Sequence, residues 1–297
     1  MRDSVEAGGR TRTYEIVGAA DGRPGRDLVL VFHGSKQTGA VHRKFTGGAF
    51  DARAERGDAV IVYLDGYRGN WNDARRQSSF PARVEKIDDV AFTRAVVGRV
   101  TASHGTGRVL AVGYSNGGQM VMRLAHEAPE LIAGAAVLGA TMPAPENFAV
   151  AGPAGGGRLP VLVMHGTKDP IVAYQGGEMR WWARKVFKVG GRSLSAPETA
   201  AYFARRNGIT VTPVSTTLPG TTVERTEHRQ EGRHPVILVT VHGGGHTIPG
   251  PRRAPFVLGA TNRDVSAADL IAEFFDSARA GTEGIKERSA GNPAEAR

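Results

Sequence analysis

A serine stands in a Gly-x-Ser-x-Gly pentapeptide at Ser115, between a stretch that predicts a strand and one that predicts a helix. A chain that turns from strand to helix within so few residues strains the serine backbone, and small neighbours prevent collisions at the turn. The hydroxyl then projects from the carboxyl end of the strand. Ser115 is therefore a candidate nucleophile, and it needs a base to take its proton.

An acid and a base follow later in the chain, each after another predicted strand. Asp169 follows the apolar run 159–165, and His246 follows the run 236–241. The order serine, acid, histidine is that of α/β-hydrolases. His242 is a second candidate base, but three glycines separate His246 from the strand and allow its ring to reach inward. The sequence therefore predicts a catalytic triad made of the serine, Asp169 and His246.

A tetrahedral intermediate also needs hydrogen-bond donors for its negatively charged oxygen, and losing one typically costs about 10²- to 10³-fold in rate. We expect one donor to be the backbone N–H of Asn116, which follows the nucleophile. The loop after the predicted strand 28–33 supplies the second, which we assign to the backbone N–H of Ser35. His33 then has a structural hydrogen-bonding role, since only one histidine acts as the base.

Apolar runs predict the strands that position these residues, and several runs are continuous rather than alternating. Continuous apolar runs are typical of parallel strands that are covered on both faces. The predicted strands are 14–17, 28–33, 59–64, 109–114, 133–139, 159–165 and 236–241, and the predicted helices are 88–103, 117–127, 197–207 and 266–280. This alternation predicts an α/β fold with a mostly parallel central sheet and helices on both faces.

The length of 297 residues and the hydrophobic content of 40% are typical of one domain with a full core. We expect a single domain over residues 1–280 and a disordered polar tail over 281–297. Residues 176–196 predict either a lid or insertion, or an amphipathic helix packed on the body. Substrate choice should depend on this segment and on the loops 67–80 and 141–158.

Composition excludes several chemistries. Cysteine is absent, which excludes disulfides, thiol nucleophiles and thiolate metal sites. The net charge of +9 suits an anionic partner, but the cations are scattered among acids, which is typical of a solvated surface rather than a nucleic-acid interface. No apolar stretch approaches the roughly 20 residues that cross a bilayer, and the first residues lack an export-signal pattern. We expect no metal, cofactor, nucleic-acid or membrane partner, and these features favour a cytoplasmic location.

The segments around the candidate residues resemble the polyhydroxybutyrate depolymerase and feruloyl esterase family of α/β-hydrolases. The similar segments are HGSKQ (33–37), GYSNGG (113–118), HGTKD (165–169) and GGGHTIPG (243–250), with further similarity at 65–73, 87–90 and 195–199. The similarity spans residues 12–278. The resemblance implies an α/β-hydrolase domain that hydrolyses polyester, hydroxycinnamoyl or acetyl esters without a cofactor, outside the cell or attached to it.

The sequence departs from the family pattern at positions that bear on location and substrate. The family commonly has cysteine where Ser35 and Ile209 stand, so a disulfide framework is missing and the implied extracellular location conflicts with the composition. It commonly has tryptophan where Ile248 stands, so an aromatic surface near the predicted base is lost. Trp71 is either a core aromatic or part of the substrate cleft. The cleft candidates are therefore Trp71, Tyr114 and Ile248.

The expected reaction is ester hydrolysis through an acyl-enzyme on Ser115, with His246 activating first the serine and then water. Acyl transfer and peptide hydrolysis stay open, because the same triad serves both. A non-catalytic basic binding protein on a hydrolase scaffold is a third possibility, which the net charge motivates. The expected partner is an ester substrate, polymeric or small, and the sequence does not indicate an oligomeric state.

Overall fold

The computed structural model of the protein describes residues 1–150, 157–179 and 181–290. In chain order its strands are β1 (Arg2–Ala7), β2 (Arg10–Val17), β3 (Asp27–Phe32), β4 (Ala59–Leu64), β5 (Val109–Tyr114), β6 (Gly134–Leu138), β7 (Val161–Gly166), β8 (Gly177–Glu178), β9 (Arg192–Ser193), β10 (Val214–Thr217), β11 (Val223–His228) and β12 (Val236–Val241). Its helices are α1 (Gly39–Phe45), α2 (Asp51–Glu55), α3 (Pro81–Val84), α4 (Asp89–His104), α5 (Asn116–Glu127), α6 (Trp181–Phe187), α7 (Ala196–Arg206) and α8 (Ala267–Ala290), with 3₁₀ turns at Pro129–Leu131, Pro145–Asn147 and Phe256–Leu258.

Within those ranges, a ten-stranded sheet has the order β1-β2-β4-β3-β5-β6-β7-β12-β11-β10. The strands from β4 to β12 in this order are parallel, and antiparallel strands flank them at both ends. Every residue of these central strands is buried. Such full burial explains why their sequences are continuous apolar runs. The predicted mostly parallel sheet is confirmed.

Helices cover both faces of the sheet and enclose a separate hydrophobic cluster on each. Helices α4, α5 and α7 pack on one face, where Phe92, Met120 and Phe203 are buried. Helix α8 packs on the other face through Phe274. Burying each such side chain contributes about 1.5–3 kcal/mol. Among the described helices, none is both long and apolar enough to traverse a bilayer.

The seven predicted strands correspond to β2, β3, β4, β5, β6, β7 and β12, and the four predicted helices to α4, α5, α7 and α8. Helix α8 extends to Ala290, however, whereas the sequence analysis ended it at 280 and expected a disordered tail over 281–297. Helix-favouring residues continue past that point, including Glu283, Lys286 and Glu287. The rest of the expected tail, residues 291–297, lies outside the described residues.

Residues 176–193, which we call the α6 segment, form a small unit with its own two-stranded sheet. Strands β8 and β9 pair with each other at its two ends, and α6 lies between them. The segment contacts the loop 67–80: the N–H of Gly190 donates to the carbonyl of Gln77 at 3.0 Å, and the N–H of Ser79 donates to that of Lys188 at 2.9 Å. Arg180 lies outside the described residues. The α6 segment is therefore attached to a loop that also borders the candidate site.

Candidate active site

Ser115 lies at the sharp turn between β5 and α5, with φ 54° and ψ −115°. Residues other than glycine rarely adopt a positive φ, and such strain persists only where the surroundings enforce it. The flanking glycines permit the turn: a Cβ on Gly113 would lie 2.2 Å from the carbonyl oxygen of Gly117, and one on Gly117 would lie 2.1 Å from that of Phe32. Close backbone packing thus fixes the serine at the carboxyl edge of the sheet.

The structure brings the serine, the histidine and the aspartate of the predicted triad together. Nε2 of His246 lies 2.9 Å from Oγ of Ser115, and Nδ1 of His246 lies 2.7 Å from Oδ2 of Asp169. Because Nδ1–H donates to the carboxylate, Nε2 is left to accept a proton from the serine. The three side chains follow β5, β7 and β12, whose carboxyl ends meet at one edge of the sheet.

The carboxylate of Asp169 is buried and held from both sides. Its Oδ1 accepts hydrogen bonds from the backbone N–H groups of Ile171 and Val172, each at 2.8 Å. Burial tends to raise the pKa of Asp169, but the charge of His246 and the hydrogen bonds from His165 and His246 outweigh it, and the pKa lies well below its ordinary value. Asp169 is therefore ionised and fixed in orientation.

Tyr114 and Gly139 hold the imidazole of His246 in place. The hydroxyl of Tyr114 donates to the carbonyl of His246 at 2.6 Å, and the two ring centroids are 5.1 Å apart. A Cβ on Gly139, whose φ is 57°, would lie 3.3 Å from the imidazole. Burial, with the charge of Asp169, raises the pKa of Tyr114 well above its ordinary value, so its hydroxyl stays a neutral donor.

The backbone N–H groups of the two predicted oxyanion donors make no hydrogen bond within the described structure, although only one of the two residues lines the cavity. Ser35 lines the same cavity as Ser115, and over the described ranges no hydrogen-bond acceptor meets the backbone N–H of Ser35 or Asn116. The side chain of Asn116 is turned away, since its Oδ1 accepts from the N–H of Trp71 at 2.9 Å and its Nδ2 donates to Asp73 at 2.5 Å. Both N–H groups are thus available as donors.

Trp71 does not line the cavity, so its assignment as a cleft residue is wrong. Its side chain is fully buried, and its indole N–H donates to the carbonyl of His33 at 2.9 Å. A ring of this size with a satisfied N–H is stable in the core. Trp71 also holds the side chain of Asn116 through its backbone N–H. Trp71 therefore fixes the backbone two residues before Ser35 and the side chain of Asn116, the two predicted oxyanion donors.

The other two cleft candidates have different outcomes. Tyr114 lines the cavity. Ile248 does not: it is buried in the cluster beneath α8, where an aliphatic side chain packs well, and its assignment to the cleft is wrong.

The remaining candidate histidines lie outside the hydrogen-bond chain. Nε2 of His33 accepts from the N–H of Gly66 at 2.8 Å, and its Nδ1 donates to the carbonyl of Gly34 at 2.7 Å. Burial lowers the pKa of His33 to about 4, so the ring is neutral, in keeping with the expected structural role. His242 is exposed and lies 3.1 Å from Glu224.

A cavity of about 100 Å³ opens onto Ser115 and His246. Most of its wall is apolar, and polar side chains reach it in addition to those of Ser35, Tyr114, Ser115 and His246. The apolar side chains are Ala140, Ile171, Val172, Met179, Phe187, Val189 and Leu258, and the additional polar ones are Gln37, Arg75 and Gln119. The loop 67–80 and the α6 segment contribute to this wall, as expected. No described residue of the loop 141–158 does, and its residues 151–156 lie outside the described ranges.

Arg75 is the most notable lining residue that the sequence analysis missed. It appeared there only among the scattered cations, because the partner that turns it inward, Asp73, becomes visible only in the fold. The available sequence signal was that Arg75 follows, by two residues, an aspartate at the end of the segment 65–73 that resembles the family.

The fold and the site together define an α/β-hydrolase, and comparisons with known proteins agree. A model of the phospholipase/carboxylesterase family matches residues 71–185. "Putative esterase NocK" of Nocardia uniformis subsp. tsuyamanensis is 33% identical over 290 residues, which cover 91% of this chain and 80% of that protein. The chain belongs to the same family of esterases as this relative.

Two further proteins are similar over less sequence or at the level of fold. Feruloyl esterase B of Piromyces equi is 30% identical over 213 residues, which cover 68% of this chain but only 37% of that protein. The structure of an acetyl xylan esterase from Aspergillus awamori superposes with a TM-score of 0.55 at 16% identity, covering 84% of this chain and 95% of that one. The second similarity concerns the fold alone.

Proposed function

We propose that the protein is a serine esterase that hydrolyses carboxylic esters through an acyl-enzyme on Ser115. The observation that carries this proposal is the hydrogen-bond chain from Ser115 Oγ to His246 Nε2 at 2.9 Å and from His246 Nδ1 to Asp169 Oδ2 at 2.7 Å. A base held in one tautomer beside a hydroxyl at a strained turn is the arrangement that nucleophilic acyl transfer requires.

In the proposed mechanism, His246 takes the proton of Ser115 while Oγ attacks the ester carbonyl. The N–H groups of Ser35 and Asn116 donate to the oxyanion of the tetrahedral intermediate. His246 then protonates the departing alcohol, which leaves an acyl-serine. Water, deprotonated by His246, attacks the acyl carbon, and the collapse of the second intermediate releases the acid and restores the serine.

The size of the cavity favours a short acyl group. Its volume of about 100 Å³ is below the roughly 300–1,000 Å³ of pockets that enclose drug-sized ligands. We therefore place acetyl and similar short acyl esters first, with most of a larger substrate outside the cavity. Feruloyl esters, which the name of one relative suggests, and polyesters, which the sequence resemblance implied, rank after them.

The alternatives from the sequence analysis have weaker support. Acyl transfer and peptide hydrolysis use the same residues, and analysis of products with alcohol or amine acceptors present distinguishes them from hydrolysis. A non-catalytic basic binding protein is not favoured by membership in a family of esterases.

Labelling with a fluorophosphonate probe, together with turnover of p-nitrophenyl acetate, tests the proposal. We expect the probe to label the wild type and not Ser115→Ala, and kcat to fall by roughly 10⁴-fold or more in this variant. Ser103→Ala is the matched control, because Ser103 is exposed near the end of α4. Full activity in Ser115→Ala would refute the proposal. A panel of acetylated xylan, methyl ferulate and polyhydroxybutyrate oligomers then ranks the substrates.

A further inference from the structure

One guanidinium group, that of Arg75, lines the cavity that contains Ser115 and His246. Its side chain is only 11% exposed. Burying a cation costs free energy unless a partner compensates for the lost hydration. An esterase that accepted only neutral short acyl groups would not need such a charge in the wall of this cavity.

The guanidinium group is held rigidly from one side. Its Nε lies 3.2 Å from both carboxylate oxygens of Asp73, and its Nη2 lies 2.5 Å from Oδ2. The backbone N–H of Arg75 also donates to Asp73, at 2.9 Å. Over the residues that the structure describes, Nη1 of Arg75 makes no hydrogen bond. One arm of a fixed fork is therefore left for a ligand.

The charges around Asp73 do not cancel. Arg83 donates to the backbone carbonyls of Asp73 and Arg75, and in the described part of the chain it has no carboxylate partner of its own. Burial first, and then the neighbouring cations, lower the pKa of Arg83 against the attraction of Asp73. A guanidinium stays protonated in proteins all the same. Among the residues described, the carboxylate of Asp73 pairs with Arg75 alone, and Arg83 adds a nearby cation, so positive charge exceeds negative charge here.

Two lysines are next in sequence to residues that line the cavity. The ammonium group of Lys36 lies 3.4 Å from the carbonyl oxygen of Val186 and 5.7 Å from the ring centroid of the lining residue Phe187. Lys188 stands between the lining residues Phe187 and Val189. Both lysine side chains are exposed. These two cations add positive charge to the surroundings of the cavity wall that Arg75 lines, and a positive potential attracts anionic ligands.

From this arrangement we infer that Arg75 is a specificity-determining residue that binds a carboxylate carried by the ester substrate. The Nη1 group of Arg75 can donate to a carboxylate oxygen in a charge-assisted hydrogen bond, and its fixed orientation reduces the entropy lost on binding. The inference rests on the proposed esterase function and deepens it. The substrate class is an ester with an anionic group in its acyl or its alcohol part, joined to the ester by a short spacer that contacts the apolar wall.

Two pairs of esters test the inference, and each pair differs only in charge. For the acyl side the pair is monomethyl glutarate and the methyl ester of glutaramic acid; for the alcohol side it is 4-acetoxybenzoate and 4-acetoxybenzamide. The ratio of kcat/KM for the anionic member to that for the neutral member is measured in each variant. We expect the wild type to favour the anionic member of at least one pair, and Arg75→Gln to reduce that ratio about 10- to 100-fold.

Arg76→Gln is the matched control, because Arg76 is the exposed neighbour and donates to the carbonyl of Phe148. We expect it to keep the wild-type ratio. Arg75→Lys keeps the charge without the fork, and we expect an intermediate ratio. Should Arg75→Gln fail to fold, inhibition of wild-type p-nitrophenyl acetate hydrolysis by glutarate, compared with glutaramide, provides the second measurement.

The inference is wrong if the wild type discriminates neither pair of esters nor the two inhibitors, or if Arg75→Gln and Arg76→Gln give the same ratio as the wild type. In those cases fluorophosphonate labelling of Ser115 and hydrolysis of neutral esters would still support the proposed function. Absence of both labelling and hydrolysis would instead refute the proposed function, and the inference would fall with it.

Discussion

Replacing Asp169 by asparagine tests the geometry of the site, because the structure fixes how the new amide must lie. Oδ1 of Asp169 accepts from the backbone N–H groups of Ile171 and Val172, each at 2.8 Å. An asparagine side chain therefore places its oxygen there and turns its NH₂ group towards Nδ1 of His246. Nδ1 must then accept rather than donate, so the proton of the neutral imidazole moves to Nε2, the atom that faces Ser115.

An imidazole with its proton on Nε2 cannot take the proton of the serine. We expect kcat of Asp169→Asn to fall by about 10⁴-fold, which corresponds to about 5.5 kcal/mol of transition-state stabilisation. The fold should tolerate the change, because the volume is nearly conserved and the two backbone hydrogen bonds to Oδ1 persist. Loss of activity with little change in Tm separates this cause from unfolding.

The assay is steady-state hydrolysis of p-nitrophenyl acetate at pH 7, together with a thermal melt. Asp88→Asn is the matched control: Asp88 accepts from the N–H of Ala91 as the N-cap of α4, where asparagine is an equally good cap. It should keep wild-type kcat. A kcat for Asp169→Asn within tenfold of the wild type, in a folded protein, would show that the carboxylate does not set the tautomer of His246.

Three further predictions concern the frame around the site. Gly117→Ala should yield insoluble or strongly destabilised protein in expression and melting experiments, because its Cβ would lie 2.1 Å from the carbonyl oxygen of Phe32. Trp71→Phe keeps an aromatic ring in the core but removes the indole N–H, which leaves the carbonyl of His33 without its donor. Urea unfolding should therefore show that the free energy of unfolding falls by about 1–3 kcal/mol. Burial lowers the pKa of His33 to about 4 and that of His42 to about 3, below the ordinary 6.5, so the unfolded chain binds more protons between these values. Stability should therefore fall as the pH drops from about 6.5 towards 4, by up to about 3 kcal/mol for each histidine, and a flat profile of Tm against pH would contradict this.

The sequence predicted the centre of the sheet because its strands are covered on both faces. Such strands need continuous apolar residues, and this pattern is legible without the structure. The edge strands were missed for the opposite reason. All four residues of β10 are exposed, and β11 carries polar residues at most positions, so neither contains an apolar run.

The candidate nucleophile, base and acid were predictable because each follows a strongly patterned strand and two of them stand among glycines. The wall of the cavity was not, since the direction of a side chain depends on packing between distant segments. The sequence is consistent with either a core or a cleft position for Trp71, and the core position depends on the carbonyl of His33, which accepts the indole N–H. In the sequence Arg75 does not differ from the surface cations; only its ion pair with Asp73 in the fold distinguishes it.

The hydroxyl, imidazole and carboxylate of the candidate site all follow strands in the parallel middle of the sheet, whereas the margin formed by β10 and β11 supplies none of them. This division makes the margin suitable for engineering. Gly220 stands at an exposed bend between those two strands, with a φ of 71°. A reporter domain spliced in at Gly220 should leave turnover intact, since exposed loop tips tolerate insertion.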